Sequence, residues 1–148
     1  MPPDSSTFRQ LIEMWRGESN TALEPALSRD ELQRLFGAFG FRPTKDVVEL
    51  YSLVGGMTTG CPDNRMFELW CPERIKTENA VPKRGFLWFG DWLISSHLYA
   101  LKPIDEFHSA VYIDYQCNEK TPPEFLAESL YEFAERLICD PTSMGVVL

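Results

Sequence analysis

The chain has 148 residues, with 22 acidic against 14 basic side chains and a formal charge of -8. That balance repels phosphate backbones and anionic membrane surfaces, so it argues against nucleic acid and membrane binding and in favour of basic partners. With 44% hydrophobic and 24% charged residues the composition is that of one globular domain, large enough to bury about 70% of the surface of its unfolded chain.

Phe8, Leu11, Ile12 and Trp15 fall at i, i+3, i+4 and i+7 and predict a first helix, with Thr7 and Gln10 spaced as a capping box and Gly17 as its end. The polar GESNT that follows predicts a linker, so residues 1–22 are expected to form a helical extension outside the minimal domain. Ser28 and Glu31 form a second capping box ahead of Leu32, Leu35, Phe36 and Phe39, with Gly40 as the stop. A third helix is expected after Pro43, capped by Thr44, burying Val47, Leu50, Tyr51 and Val54 and ending at Gly55-Gly56.

The period then changes to extended. MFELW (Met66 to Trp70) predicts a strand, and Cys71 to Arg84, polar and broken by two prolines, predicts an exposed loop with room for one helical turn. Phe86 to Phe89 and Leu93 to Leu101 predict two neighbouring strands joined at a Gly90-Asp91 turn. Ala110 to Tyr115 adds another strand, with Val111, Ile113 and Tyr115 on one face and Tyr112 and Asp114 on the other. After Pro122-Pro123, Phe125 to Ala127 predicts a short edge strand. Ser129 and Glu132 cap a final helix that buries Leu130, Phe133, Ala134 and Leu137, and residues 141–148 are expected to be a tail.

Helices first, then consecutive strands, then a helix predict an α+β domain over residues 23–140, with a mostly antiparallel sheet and the N-terminal and C-terminal helices packed against it. No stretch of about 18 apolar residues occurs, and the opening MPPDSSTFRQLIEMW lacks the basic-then-apolar pattern of a signal peptide, so a cytoplasmic location is expected. Cys61, Cys71, Cys117 and Cys139 form no C-x-x-C pair and are expected to be reduced, with no metal site.

These elements carry a resemblance. Gly40, Phe41 and Pro43 lead into a helix containing Leu50 and Tyr51 that ends at Gly55-Gly56; strands with WFGDWLISSHLYAL and VYIDY follow, and Ser129, Leu130 and Phe133 open the closing helix. The pattern, over about residues 23–139, resembles the SUKH superfamily, which includes a yeast regulator of cell-wall synthesis and bacterial immunity proteins that neutralise secreted polymorphic toxins. The resemblance implies the α+β fold and a protein-binding role: neutralisation of a cognate toxin domain, a basic nuclease being one case, or a non-toxin scaffold function. The family often has a glycine-rich turn where Trp92, Leu93, Ile94 and Ser95 stand, so no family pocket is carried over.

For chemistry, Ser96 and His97 are adjacent on a predicted strand and diverge to opposite faces, and Ser95 shares a face with His97 but lacks a nucleophile elbow. No catalytic set is expected, a small hydrolase using His97 being the reading from a different class. Asp91, Asp105, Glu106 and Asp114 are expected to be solvated carboxylates, and the glycine steps lack a phosphate-cradle context, so no cofactor is implied. Trp88, inside an apolar run, is expected in the core. Asp91 with Trp92 at a turn, and Tyr112 with Asp114 on one strand face, are the residues expected to face a protein partner, the alternative being that they lie beneath a helix.

Overall fold

A computed structural model describes residues 4–80, 85–115 and 122–145. Its elements run in the order α1 (Ser5–Arg16), α2 (Arg29–Gly37), α3 (Lys45–Tyr51), β1 (Phe67–Leu69), α4 (Pro72–Glu78), β2 (Leu87–Trp92), β3 (His97–Pro103), β4 (Ser109–Asp114), β5 (Glu124–Ala127) and α5 (Leu130–Cys139), closed by a 3-10 turn over Pro141–Met144. The five strands form one antiparallel sheet in sequence order, so the chain is an α+β protein with helices at both ends. No helix among the described residues is long and apolar enough to cross a membrane.

The amphipathic stripes bury as their spacing requires. Phe8, Leu11, Ile12 and Trp15 of α1 and Leu130, Phe133, Ala134 and Leu137 of α5 are all buried, and the two helices pack on each other. Beneath them lies one face of the sheet, where the Phe133 ring meets Phe67, Phe89 and Tyr99 at centroid distances of 5.7, 5.7 and 5.2 Å. Such tilted and edge-on pairs add about 0.5–1.5 kcal/mol each beyond the area they bury.

The first helix is therefore part of the core rather than an extension. Its N-cap is Asp4, whose carboxylate accepts from Ser6 N, while Thr7 lies inside the helix and is buried. The C-terminal segment is likewise packed in part: Met144 is fully buried and its carbonyl accepts a 2.7 Å bond from Tyr99 Oη. Polar neighbours in the chain point to a linker and a tail at these two places, a signal that says nothing about long-range packing.

Two capping expectations hold in different degrees. Ser28 and Glu31 make the reciprocal box on α2, whereas Ser129 accepts from Glu132 N but the Glu132 carboxylate turns to Glu128 N. Thr44 caps nothing with its side chain. After α3 the chain runs through Gly55 and Gly56, and here glycine is obligatory. A Cβ on Gly55 would lie 2.0 Å from the Pro25 carbonyl oxygen, and Gly56, at φ +93°, would put one 2.6 Å from that of Trp70. This approach allows Glu24 N to donate to Gly56 O and Gly55 N to donate to Glu24 O, stitching the linker to the domain.

Two elements depart from the sequence reading. Cys71 to Glu78 is not a loop: Pro72 at the first helical position and Glu73 in the first turn start α4, a pattern that the two prolines of the segment obscured. Gly90 and Asp91 do not form a turn but lie inside β2, and the reversal falls at Leu93–Ser96. Of the cysteines, Cys61, Cys71 and Cys139 are free thiols; Cys117 lies outside the described residues, as do the 81–84 end of the expected loop and the last three residues of the expected tail.

Candidate functional site

Period-2 alternation, interrupted in β2 by a register shift between Trp88 and Gly90 that puts Phe89 and Asp91 on different faces, sorts the strands onto two faces. Phe67, Phe89, Tyr99 and Ile113 meet the helical layer, while Glu68, Asp91, Leu98 and Asp114 pair in a row on the opposite face. A second row on that face runs Trp88, Ala100, Tyr112, Phe125 across β2 to β5.

The acidic row is closed by α4. Arg74 pairs with Glu68 in a short contact and with Asp91 Oδ2 at 2.8 Å, donates to Ser95 Oγ at 3.1 Å and lies 4.9 Å over the Trp70 ring. Asp91 Oδ2 also accepts from Trp70 Nε1 at 2.8 Å, and Glu68 Oε1 accepts from Gly60 N at 3.0 Å. Burial holds the Glu68 carboxyl above the usual range, against the pull of Arg74. This is a tertiary tie between α4, β1, β2 and the Leu93–Ser96 turn.

Asp91, expected at a solvated turn, is thus 1% exposed and committed to Trp70 and Arg74. Asp114 is buried as well, at 4%. Trp92 is half-buried on the other face, with its indole N–H donated to Arg65 O at 2.8 Å and its ring stacked on His97 at 5.0 Å. Of the four residues singled out from the sequence, Tyr112 alone is both part-exposed and on the sheet face away from the helical layer, and the structure does not gather the four at one point.

What surrounds Tyr112 is aromatic. Its ring lies 5.0 Å from Phe86 and 5.7 Å from Phe125, both edge-on, and Phe86 in turn contacts Trp88 at 6.1 Å. The small Ala100 between Tyr112 and Trp88 leaves the space that Phe86 enters. Lys102 sets its ammonium 5.6 Å over Phe86 and 5.8 Å over Tyr112. Trp88 is buried, as expected, but Phe86 and Tyr112 are half-buried and Phe125 is 56% exposed. Phe86 opens an apolar run and its exposure is not legible in the sequence, whereas Phe125 stands on a short edge strand that follows two prolines, which is a signal of exposure.

The His97 ring is buried between Trp92, Tyr99 and Tyr115, with Nε2 3.3 Å from Tyr99 Oη, and burial lowers its pKa. Ser96 Oγ donates to Leu93 O and Ser95 Oγ accepts from Arg74. These hydroxyls are engaged with the turn and with α4, and the imidazole meets three aromatic rings, one of them carrying the Tyr99 hydroxyl. No cluster of three or more His, Cys, Asp or Glu side chains arranged to hold a metal occurs among the described residues.

The turn itself is unusual: Leu93, Ile94 and Ser95 have φ of 50°, 51° and 65°, three successive non-glycine residues in the left-handed region. Leu93 N is tied to Met66 O at 2.9 Å and Ser96 N to Trp92 O at 3.0 Å. Comparison with known proteins identifies no relative: no family model, no curated protein and no solved structure matches the chain.

Proposed function

We propose that the chain is an immunity protein that binds a cognate polymorphic toxin domain of basic charge, a nuclease being the case its acidity fits best, and masks the toxin's active site. The observation that carries this reading is the row of part-exposed rings, Phe86, Tyr112 and Phe125, on one face of a protein of charge -8. Aromatic anchors supply much of the energy at protein interfaces, and an opposite net charge speeds encounter over long range. The order and spacing of the SUKH-like motifs support it from the sequence side. No bond-making step is assigned: inhibition comes from shape and potential.

The test is protection. Cells expressing the C-terminal toxin domain encoded beside this gene survive when the chain is co-expressed, and a Tyr112→Glu/Phe125→Glu variant of unchanged melting temperature fails to protect them. Absence of protection by the wild-type chain, with housekeeping regulators recovered on affinity purification, points instead to a scaffold role for the same surface.

A further inference from the structure

Adjoining the aromatic face at Lys102, an open groove of about 1350 Å³ runs between the start of α2, the Gly40–Lys45 loop and the β3–β4 connection. Four cations line it, Arg29, Arg42, Lys45 and Lys102, all exposed. Arg29, Arg42 and Lys102 make no ion pair among the described residues, and Lys45 meets Glu49 at 3.5 Å. Three acids share the lining, Glu49, Asp105 and Glu106. Two of them are occupied: Glu49 by Lys45 and the Tyr131 hydroxyl, Asp105 by the backbone N–H groups of Phe107 and His108 at 2.8 Å each. Four cations against three carboxylates leave the lining with a small positive excess on a chain of charge -8.

Its walls are also apolar. Phe41, Pro43, Ile104 and Phe107 line it, with Ile104 59% and Phe107 50% exposed. Two bonds from the first amides of α3, Lys45 N to Glu106 O at 3.0 Å and Asp46 N to Phe107 O at 3.1 Å, join its two sides, so the shape is fixed by the backbone before any ligand arrives.

We propose that this groove binds a short acidic peptide segment of a partner protein, with carboxylates paired to Arg29, Arg42 and Lys102 and aliphatic side chains set against Ile104 and Phe107. Charge complementarity selects the acid, and the exposed apolar lining selects a peptide over a polyphosphate. A nucleic acid carries charge on every unit and extends beyond the groove onto an acidic surface, whereas a short peptide confines its charge to the groove. The site does not rest on the toxin-binding reading, although Lys102, whose ammonium also lies over Phe86 and Tyr112, borders both surfaces.

The test is fluorescence anisotropy of the full chain with a labelled peptide of about a dozen residues alternating Glu and Leu, beside a Gln-Leu peptide and a single-stranded oligonucleotide of similar length. Saturable binding to the Glu-Leu peptide is expected, weakened about tenfold by Arg29→Glu/Arg42→Glu, by the neutral peptide, and by raising salt from about 0.05 to 0.5 M. Both substituted residues are exposed and Arg29 opens α2, where a carboxylate is favourable, so an unchanged melting temperature shows that the variant is folded. No saturable binding, equal binding by the charge-reversed variant, or tighter binding of the oligonucleotide overturns the proposal.

Discussion

Trp15 on the first helix donates its indole N–H to Oδ2 of Asp63 at 3.0 Å, across 48 residues of chain. Asp63 is buried, and its other oxygen accepts from Arg65 N and Phe67 N at 2.9 and 3.0 Å, so one carboxylate fixes both α1 and the approach to β1. Trp15→Phe keeps most of the packing but leaves that acceptor short of a donor, and is expected to cost about 1–3 kcal/mol in urea unfolding. Deleting residues 1–17 removes four buried apolar side chains, Phe8, Leu11, Ile12 and Trp15, at about 1.5–3 kcal/mol each, comparable with the whole stability of a domain, and is expected to leave no cooperative transition.

Asp46 serves the opposite end of the domain. Its two oxygens accept from the Thr44 hydroxyl at 2.6 Å and from the backbone of Val47, Ser109 and Leu130 at 2.9, 3.1 and 2.9 Å, joining the starts of α3, β4 and α5. Asp46→Asn turns one acceptor into a donor facing donors. A loss of about 2–4 kcal/mol is expected by denaturant titration, with no change in the exposed aromatic row.

Arg74 stands against two buried carboxylates. Its removal in Arg74→Ala leaves Glu68 and Asp91 without their cation and is expected to cost about 3–5 kcal/mol at neutral pH. Burial already raises the Glu68 value, and losing Arg74 raises it further. A carboxyl whose folded value exceeds its unfolded one contributes stability at low pH and loses it as pH rises through the folded value. The deficit of the variant is therefore expected to shrink as pH falls from 7 towards about 4, measured as the difference in melting temperature from wild type.

His97 acts in the other sense. Burial lowers its folded value, so its contribution is present above about pH 6.5 and is lost as pH falls through that value, because the unfolded chain takes the proton first. His97→Phe, which keeps a ring against Trp92, Tyr99 and Tyr115, is expected to flatten the stability profile between about pH 7 and 5. Unfolding followed by tryptophan fluorescence across that range checks it.

Ile94 is 81% exposed at φ 51°, so its side chain contributes little burial while its backbone sits where a β-branched residue is strained. Ile94→Gly is expected to raise stability by about 1 kcal/mol, seen as a higher urea midpoint at constant slope.

Local signals were legible in the chain because they depend on neighbours. The stripes of α1 and α5, the Ser28 box, the glycine step after α3 and the two faces of β4 follow from spacings of two, three and four residues and stand where those spacings place them, whereas α2 and α3 end at Gly37 and Tyr51, short of the stops read at Gly40 and Gly55-Gly56. From that order the α+β architecture follows. The partner-facing set did not follow, because exposure is decided by residues far along the chain. Asp91 looked like a turn acid until Arg74 and Trp70, on a helix hidden by prolines and at the end of β1, enclosed it. Phe86, Tyr112 and Phe125 became one surface only when strand pairing brought them together, and the cationic groove exists only because Arg29, Arg42 and Lys102 converge from three separate elements. Periodicity fixes which way a side chain points from its own strand or helix; what it then meets is set by tertiary packing.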